Sequence, residues 1–258
     1  MAGYSVFAQY YDRLTANAGY SRRAEYFLAL LERLGHAPGL TLDLACGTGS
    51  LTLELFQRGV DVYGVDASVE MLSEARAKCA AAGTDILFLR QNMTDLDLYG
   101  TVSTIVCSLD SINHLQGAAQ VRRAFEKAAF FLDPGGYFVF DINTLYKHEF
   151  VLGNHTFVYD LEELFCVWQN HFTPAAGKVD IRLDFFQRDG RCYRRSGEHF
   201  SEYAYPLEKI ELWLREAGFV QADVFDELTF DPPGETSQRL VVAARKGEWQ
   251  GRWTGSSE

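Results

Sequence analysis

This sequence predicts an α/β fold: a mostly parallel seven-stranded sheet with helices on both faces, plus an antiparallel β insertion before the last helix. Three observations lead there. Strand and helix signals alternate from residue 20 to about 142. The strands are short, nearly continuous apolar runs, which mark a parallel sheet covered on both faces. From about residue 143 to 205 polar and apolar residues alternate instead, as in Val179-Asp180-Ile181-Arg182-Leu183-Asp184-Phe185. That period of two marks antiparallel strands with one solvated face.

Each element carries local signals. Residues 21–34 place Phe27, Leu28, Leu31 and Leu34 on one helical face, and Pro38-Gly39 punctuates the end. Residues 40–45 form the first strand. A helix over 50–58 closes at Gly59, and 60–65 is the second strand. The helix over 69–82 has Ser68 as N-cap, Gly83 as its stop, and Met71, Leu72 and Ala75 turned inward. Residues 86–89 and 102–108 are strands three and four. A helix over 118–132 ends at Asp133-Pro134-Gly135-Gly136, and 137–142 is strand five. Turn signals at Gly153-Asn154, at Pro174 through Gly177 and at Asp189-Gly190 divide the insertion. A helix over 207–217 stops at Gly218, and 219–225 and 239–244 are the last two strands. The expected division is therefore 1–142 for the N-terminal helices and β/α core, 143–205 for the insertion, 206–245 for the end of the core, and 246–258 for a flexible tail.

The chain has 258 residues, enough for one large α/β domain with an insertion. A net charge of −11 argues against a phosphate-tracking nucleic-acid surface. Arg188, Arg191, Arg194 and Arg195 form the one basic patch and read as a solvated hairpin face. Five cysteines with no C-x-x-C and no metal-ligand spacing fit a reducing cytoplasm and no metal. The first residues carry Asp12, Arg13, Arg22 and Arg23 without a long apolar core, unlike a signal peptide, and no apolar run is long enough to span a membrane. A cytoplasmic monomer or homodimer without membrane contact is the expectation.

The chemistry concentrates in Leu42-Asp43-Leu44-Ala45-Cys46-Gly47-Thr48-Gly49, a buried strand running through a glycine turn into a helix. Gly47 and Gly49 permit a tight turn and a close ligand approach, and the amides opening the next helix face that ligand. Asp43 beside the turn would repel a pyrophosphate and hold a ligand bearing an ammonium group. The dinucleotide fingerprint G-x-G-x-x-G is not met, because Leu51-Thr52 stands where the third glycine would fall.

Asp-x-Ala-Cys-Gly-Thr-Gly resembles motif I of the class I S-adenosylmethionine-dependent methyltransferases, with Ala45 at the first glycine position. The order of a helix, five β/α units, then a helix and a terminal strand pair fits their Rossmann-like fold, strongly over residues 40–142 and moderately over 205–245. Tyr10-Tyr11-Asp12-x-Leu14 and the insertion resemble the YqeM-like and glycine/sugar N-methyltransferase-like small-molecule branch.

The resemblance implies S-adenosyl-L-methionine as cofactor, S-adenosyl-L-homocysteine as product and a small-molecule methyl acceptor. Asp43, Ala45, Cys46, Gly47, Thr48 and Gly49 would form the cofactor loop. Asp66, followed by Ala67, ends strand two and would accept from the vicinal ribose hydroxyls, although nicotinamide enzymes place an acid similarly. Met71 would stack on adenine or serve the core. Asn92 and Met93 follow strand three, with Asn92 replacing the family's usual aspartate as acceptor from the adenine amine and Asp95 as a nearby substitute. Ser108 would present its carbonyl to the methionine end, and Tyr10 and Tyr11 would close over the cofactor. The rest of the loop, with Asp110 and Asn113, would line the acceptor pocket. His114 is the candidate base. His199, Glu202 and Tyr203 would reach the acceptor from the returning insertion.

Four functions compete at this stage: a methyltransferase acting on N or O of a small molecule, one acting on tRNA or protein, a nicotinamide-dependent oxidoreductase, and a non-catalytic S-adenosylmethionine-binding module. Asp43, the missing third glycine and the antiparallel ending disfavour the oxidoreductase.

Overall fold

The computed structural model describes residues 11–12 and 18–248. Tyr10, Leu14 and most of the expected tail lie outside them.

The core elements run in the predicted order: α1 (Tyr20–Arg33), β1 (Thr41–Leu44), α2 (Ser50–Gln57), β2 (Val62–Asp66), α3 (Val69–Ala81), β3 (Phe88–Arg90), β4 (Val102–Cys107), α4 (Ala118–Phe131) and β5 (Leu132–Asn143). Then follow the insertion strands β6 (Thr156–Leu161), β7 (Leu164–Thr173), β8 (Lys178–Asp189) and β9 (Cys192–Tyr203). Helix α5 (Leu207–Ala217) and strands β10 (Phe219–Asp226) and β11 (Arg239–Lys246) complete the core.

Seven strands form the main sheet in the order β10-β11-β5-β4-β1-β2-β3. Only β11 runs antiparallel to its neighbours β5 and β10. The strands are buried on both sides by a period-two division of side chains. On β11, Leu240, Val242 and Ala244 join Phe125 and Ala128 of α4 and Trp213 of α5 on one face. Val241 and Ala243 join Phe27, Leu30 and Leu31 of α1 on the other.

Two boundaries differ from the sequence expectation. Residues 133–136, read as a turn after the helix, sit within β5. Val102 pairs with Leu132 and Thr104 with Tyr137, so the turn bulges out of an otherwise continuous ladder. Residues 147–152, where no element is expected from the sequence, form a π-helical turn (Lys147–Leu152).

The insertion is a four-stranded antiparallel meander, β6-β7-β8-β9. Its inner face packs Leu164, Cys166, Val179, Ile181, Leu183 and Phe185 together with Met71 of the core. The chain leaves β1 toward β2 and β3, then returns to β1's other side as β4. That reversal opens a crevice at the carboxyl ends of β1 and β4, the usual ligand position in open α/β sheets.

Candidate functional site

Three segments meet at this crevice: the loop after β1, the end of β2, and the loop after β4. Gly47 and Gly49 both take left-handed backbone, φ 55° and 70°. Their side-chain spaces differ. A Cβ on Gly49 would lie 2.9 Å from Ala75 Cβ and 3.0 Å from Phe88 Cζ, so packing onto α3 and β3 demands glycine there. A Cβ on Gly47 would meet nothing within 4 Å, so its open side leaves room for a ligand to approach. The Gly47 amide donates to Asp66 Oδ2 at 2.9 Å, while Asp66 Oδ1 accepts from the Ser68 amide at 2.8 Å. Asp66 thus stands beside the loop, and burial raises its pKa.

Ala45 also adopts φ 59°. A residue with a Cβ pays about 1 kcal/mol or more for left-handed backbone. Ala45→Gly is therefore expected to leave the thermal midpoint unchanged or raise it, with an upper gain of about 1 kcal/mol because glycine also loses more backbone entropy. A clear drop in midpoint would show that the Ala45 methyl packs usefully.

Asp43 differs from its expected role. Its carboxyl is 1% exposed and accepts from Thr52 Oγ1 at 2.5 Å, so in this structure it is not an open anion. Burial raises its pKa from 3.8 to about 7, against the Thr52 hydrogen bond. A folded-state pKa above the unfolded one means that Asp43 contributes stability below about pH 4, and that this contribution disappears as pH rises toward 7. Asp43→Asn should flatten the protein's stability across pH 4 to 7 in denaturant titrations; an unchanged slope would remove Asp43 as its source.

Thr48 is buried and donates to Asp12 Oδ1 at 2.7 Å, while Lys78 Nζ bonds Asp12 Oδ2 at 2.5 Å and also bonds Ser50 Oγ. Asp12 therefore bridges the glycine loop and α3. Tyr11 beside it packs on the insertion cluster that contains Met71. Burial, then Tyr20 and Asp110, push the Tyr11 phenol well above its ordinary pKa. Cys46 packs with Leu72, Ala75 and Phe88, Ala67 is exposed, and Met93 packs against the main core. Asn92 Oδ1 accepts from both the amide and the hydroxyl of Thr94, so its acceptor capacity is spent capping a local turn.

The loop after β4 is the strained part of the site. Leu109 and Asp110 are consecutive left-handed residues, φ 57° and 53°. Such backbone persists where its surroundings over-determine it. Here Asp141 does so: it is 0% exposed, accepting from the Leu109 amide at 2.9 Å, the Asp110 amide at 2.6 Å and Ser108 Oγ at 3.1 Å. Two buried guanidinium groups hold Asp141, Arg23 at 2.7 Å and Arg239 at 2.6 Å. Burial alone would raise the Asp141 pKa, but Arg239 and Arg23 outweigh it and hold the group below the ordinary range. Asp110 is depressed in the same way, with Arg239 and Lys147 overcoming burial. Sequence reading missed Asp141 and Arg239. The available signal was an ionisable residue within each of two strands that otherwise read as buried.

Several expected acceptor residues are placed otherwise. Asn113 is buried, donating to the carbonyls of Asn143 and Tyr203 and accepting from the Asn143 amide; it staples the loop to β5 and β9. The Ser108 carbonyl accepts from Ser111 Oγ at 2.8 Å. Alternation along β9 gives Glu202 the parity of inward-packed Phe200, while His199 and Tyr203 have the opposite parity. His199 is exposed opposite Arg182 and lines a concavity of about 700 Å³ on the outer side of the insertion. His114 keeps its place, partly exposed, its ring tilted 37° to that of Phe200 at 5.2 Å between centroids and its Nε2 3.8 Å from Glu202 Oε1. Asp110, His114 and Glu202 form a cluster whose nearest ligand atoms all lie within 4.8 Å of one another.

A family model described as a methyltransferase domain matches residues 41–136. YqeM of Bacillus subtilis, which carries a methyltransferase name, is 32% identical over 246 residues, covering 95% of this chain and 98% of that one. The crystal structure of an S-adenosylmethionine-dependent methyltransferase from Clostridium acetobutylicum is 32% identical, with TM-score 0.85, covering 95% of this chain and 99% of that one. A dTDP-3-amino-3,6-dideoxy-alpha-D-glucopyranose N,N-dimethyltransferase of Streptomyces fradiae is 32% identical over 131 residues, half of each chain. The fold, the glycine loop and these likenesses define an S-adenosylmethionine-dependent methyltransferase. Within that family the chain belongs with the YqeM-like proteins.

Proposed function

We propose that this protein transfers the methyl group of S-adenosyl-L-methionine to N or O of a small molecule by in-line displacement. The observation carrying this reading is the crevice at the sheet's reversal, where the Gly47 amide, Asp66 and the strained 108–114 loop converge. The open side of Gly47 is a cradle that a Cβ would fill, and Asp66 presents a carboxylate at the end of β2, so these residues fit the cofactor.

When bound, the cofactor supplies a methyl group already activated on sulfonium. The protein's work is alignment, exclusion of water and management of one proton. Asp66 would hold the ribose hydroxyls, exchanging its bonds to backbone amides for the ligand's. Met71, lodged between core and insertion, would wall the adenine side. His114 Nε2 would take a proton from the acceptor. No helix among the described residues is long and apolar enough to cross a membrane.

Calorimetric titration with S-adenosylhomocysteine, with NAD in parallel, tests the cofactor. Asp66→Ala should weaken S-adenosylhomocysteine by about 1–3 kcal/mol through lost charged hydrogen bonds. Unchanged affinity would remove Asp66 from the site, and preference for NAD would sink the methyltransferase reading.

A further inference from the structure

We infer that the acceptor is a primary or secondary amine that enters as its ammonium and is held by Asp110, His114 and Glu202. This rests on the methyltransferase reading above and names its substrate class.

The first argument is a shortage of hydrogen-bond donors. Both amide hydrogens of Asn143 are spent, on Asp110 Oδ2 at 3.0 Å and Glu202 Oε2 at 3.1 Å. Arg239 takes Asp110 Oδ1 at 2.6 Å. Among the described residues no hydrogen bond reaches Glu202 Oε1, and His114 Nε2 stands 3.8 Å from it, beyond hydrogen-bond reach. Behind Glu202 stands His148, 0% exposed, on the π-helical turn. Its Nδ1 lies 3.1 Å from the Gly177 carbonyl, which can only accept, so Nδ1 carries the proton. Its Nε2 lies 3.5 Å from Glu202 Oε2 and has no hydrogen-bond partner. With His148 neutral, Glu202 receives one hydrogen bond, from Asn143 to Oε2, and its Oε1 receives none among the described residues. A hydroxyl brings one donor and an ammonium brings up to three.

The second argument is charge. Asp110, Asp141, Glu202 and Glu227 face Arg23, Arg239 and Lys147, four carboxylates against three cations. Arg23 pairs with Asp141 and Glu227, Arg239 pairs with Asp110, Asp141 and Glu227, and Lys147 Nζ donates to Asn143 Oδ1 at 2.8 Å. Lys147 is shared among Asp110, Glu202 and Glu227, so with both histidines neutral the group keeps one negative charge in excess, which a bound cation beside Glu202 would match.

The third argument is spacing. Three acceptors about 2.8 Å from one tetrahedral nitrogen stand about 4.6 Å apart. Ligands about 2.1 Å from a transition metal stand only about 3.0–3.4 Å apart. The cluster's atoms lie within 4.8 Å of one another, which admits the ammonium spacing, and the 3.8 Å His114–Glu202 separation falls between the two values, so the manganese arm of the test below decides between them. The ammonium would give one N–H proton to His114 Nε2 and become a neutral amine with a free lone pair.

The test is an NMR titration of the S-adenosylhomocysteine complex with methylammonium chloride, following the His114 ring signals. Potassium chloride at equal ionic strength, methanol and manganese chloride run in parallel. We expect saturation by methylammonium with a dissociation constant on the order of 10 mM, the scale for so small a ligand. Potassium and methanol should have no such effect. Glu202→Gln should weaken methylammonium at least tenfold while its thermal midpoint and S-adenosylhomocysteine affinity report an intact fold. His114→Gln, at a partly exposed position and followed by the backbone amide signals of residues 110–114 because it lacks that ring, should weaken it at least threefold and serves if Glu202→Gln does not fold. Methylammonium acting no differently from potassium, or retained in the variants, would overturn the inference. So would micromolar manganese binding, which would make the cluster a metal site. Failure of S-adenosylhomocysteine to bind would instead sink the methyltransferase reading itself.

Discussion

Asp141→Ala is expected to cost about 3–5 kcal/mol of folding stability, the scale for removing one partner of a buried ion pair. The carboxylate lies between Arg23 and Arg239 and carries the two amides of the strained Leu109-Asp110 step. Its loss leaves two buried guanidinium groups with fewer partners and removes what fixes the left-handed backbone. Urea denaturation gives the measure, and a variant as stable as the wild type would show that the network is not coupled to the fold. Asp141→Asn keeps one acceptor oxygen and should lose less. The pH dependence has a definite sign. Asp141 and Asp110 both have folded-state pKa values below their unfolded ones. Their stabilisation is complete above about pH 4 and is lost as pH falls further. Asp141→Ala should therefore show a shallower loss of stability in acid than the wild type.

Gly49→Val and Gly47→Val are expected to fail in different ways. At Gly49 the new side chain collides with Ala75 and Phe88, and its φ of 70° is hostile to a β-branched residue. Overpacking and left-handed strain together should cost roughly 2–5 kcal/mol of stability. At Gly47 nothing lies within 4 Å of the added Cβ, so the fold loses only the backbone strain, about 1–2 kcal/mol. The side chain does occupy the loop's open side, and S-adenosylhomocysteine affinity should fall more than 100-fold. Thermal melts with and without S-adenosylhomocysteine separate the two effects. Normal binding by Gly47→Val would make the glycine loop structural rather than functional.

The sequence alone determined the sheet and the glycine loop that opens onto the crevice. Apolar runs and glycine stops are local signals, and hydrophobic burial enforces them wherever the chain goes, so β1 through β4 and α1 through α5 fall within a few residues of expectation. The glycine loop is local as well: the turn through Cys46 to Gly49 and the acid closing β2 can be placed without knowing their neighbours. Only the tertiary structure decided the rest, because polar roles depend on partners far away in sequence. Asp141 becomes a clamp through Arg23, 118 positions before it, and Arg239, 98 after it. Asn113 becomes a staple through Tyr203, Asn92 a cap through Thr94, and Asp43 a buried acid under Thr52. Pleating of β9 sets Glu202 on the site's side and His199 on the other, and a one-residue change in register would have exchanged them. Burial of apolar side chains is non-directional and survives such uncertainty. Hydrogen bonds and ion pairs demand defined partners at defined distances, and a linear sequence does not contain those distances.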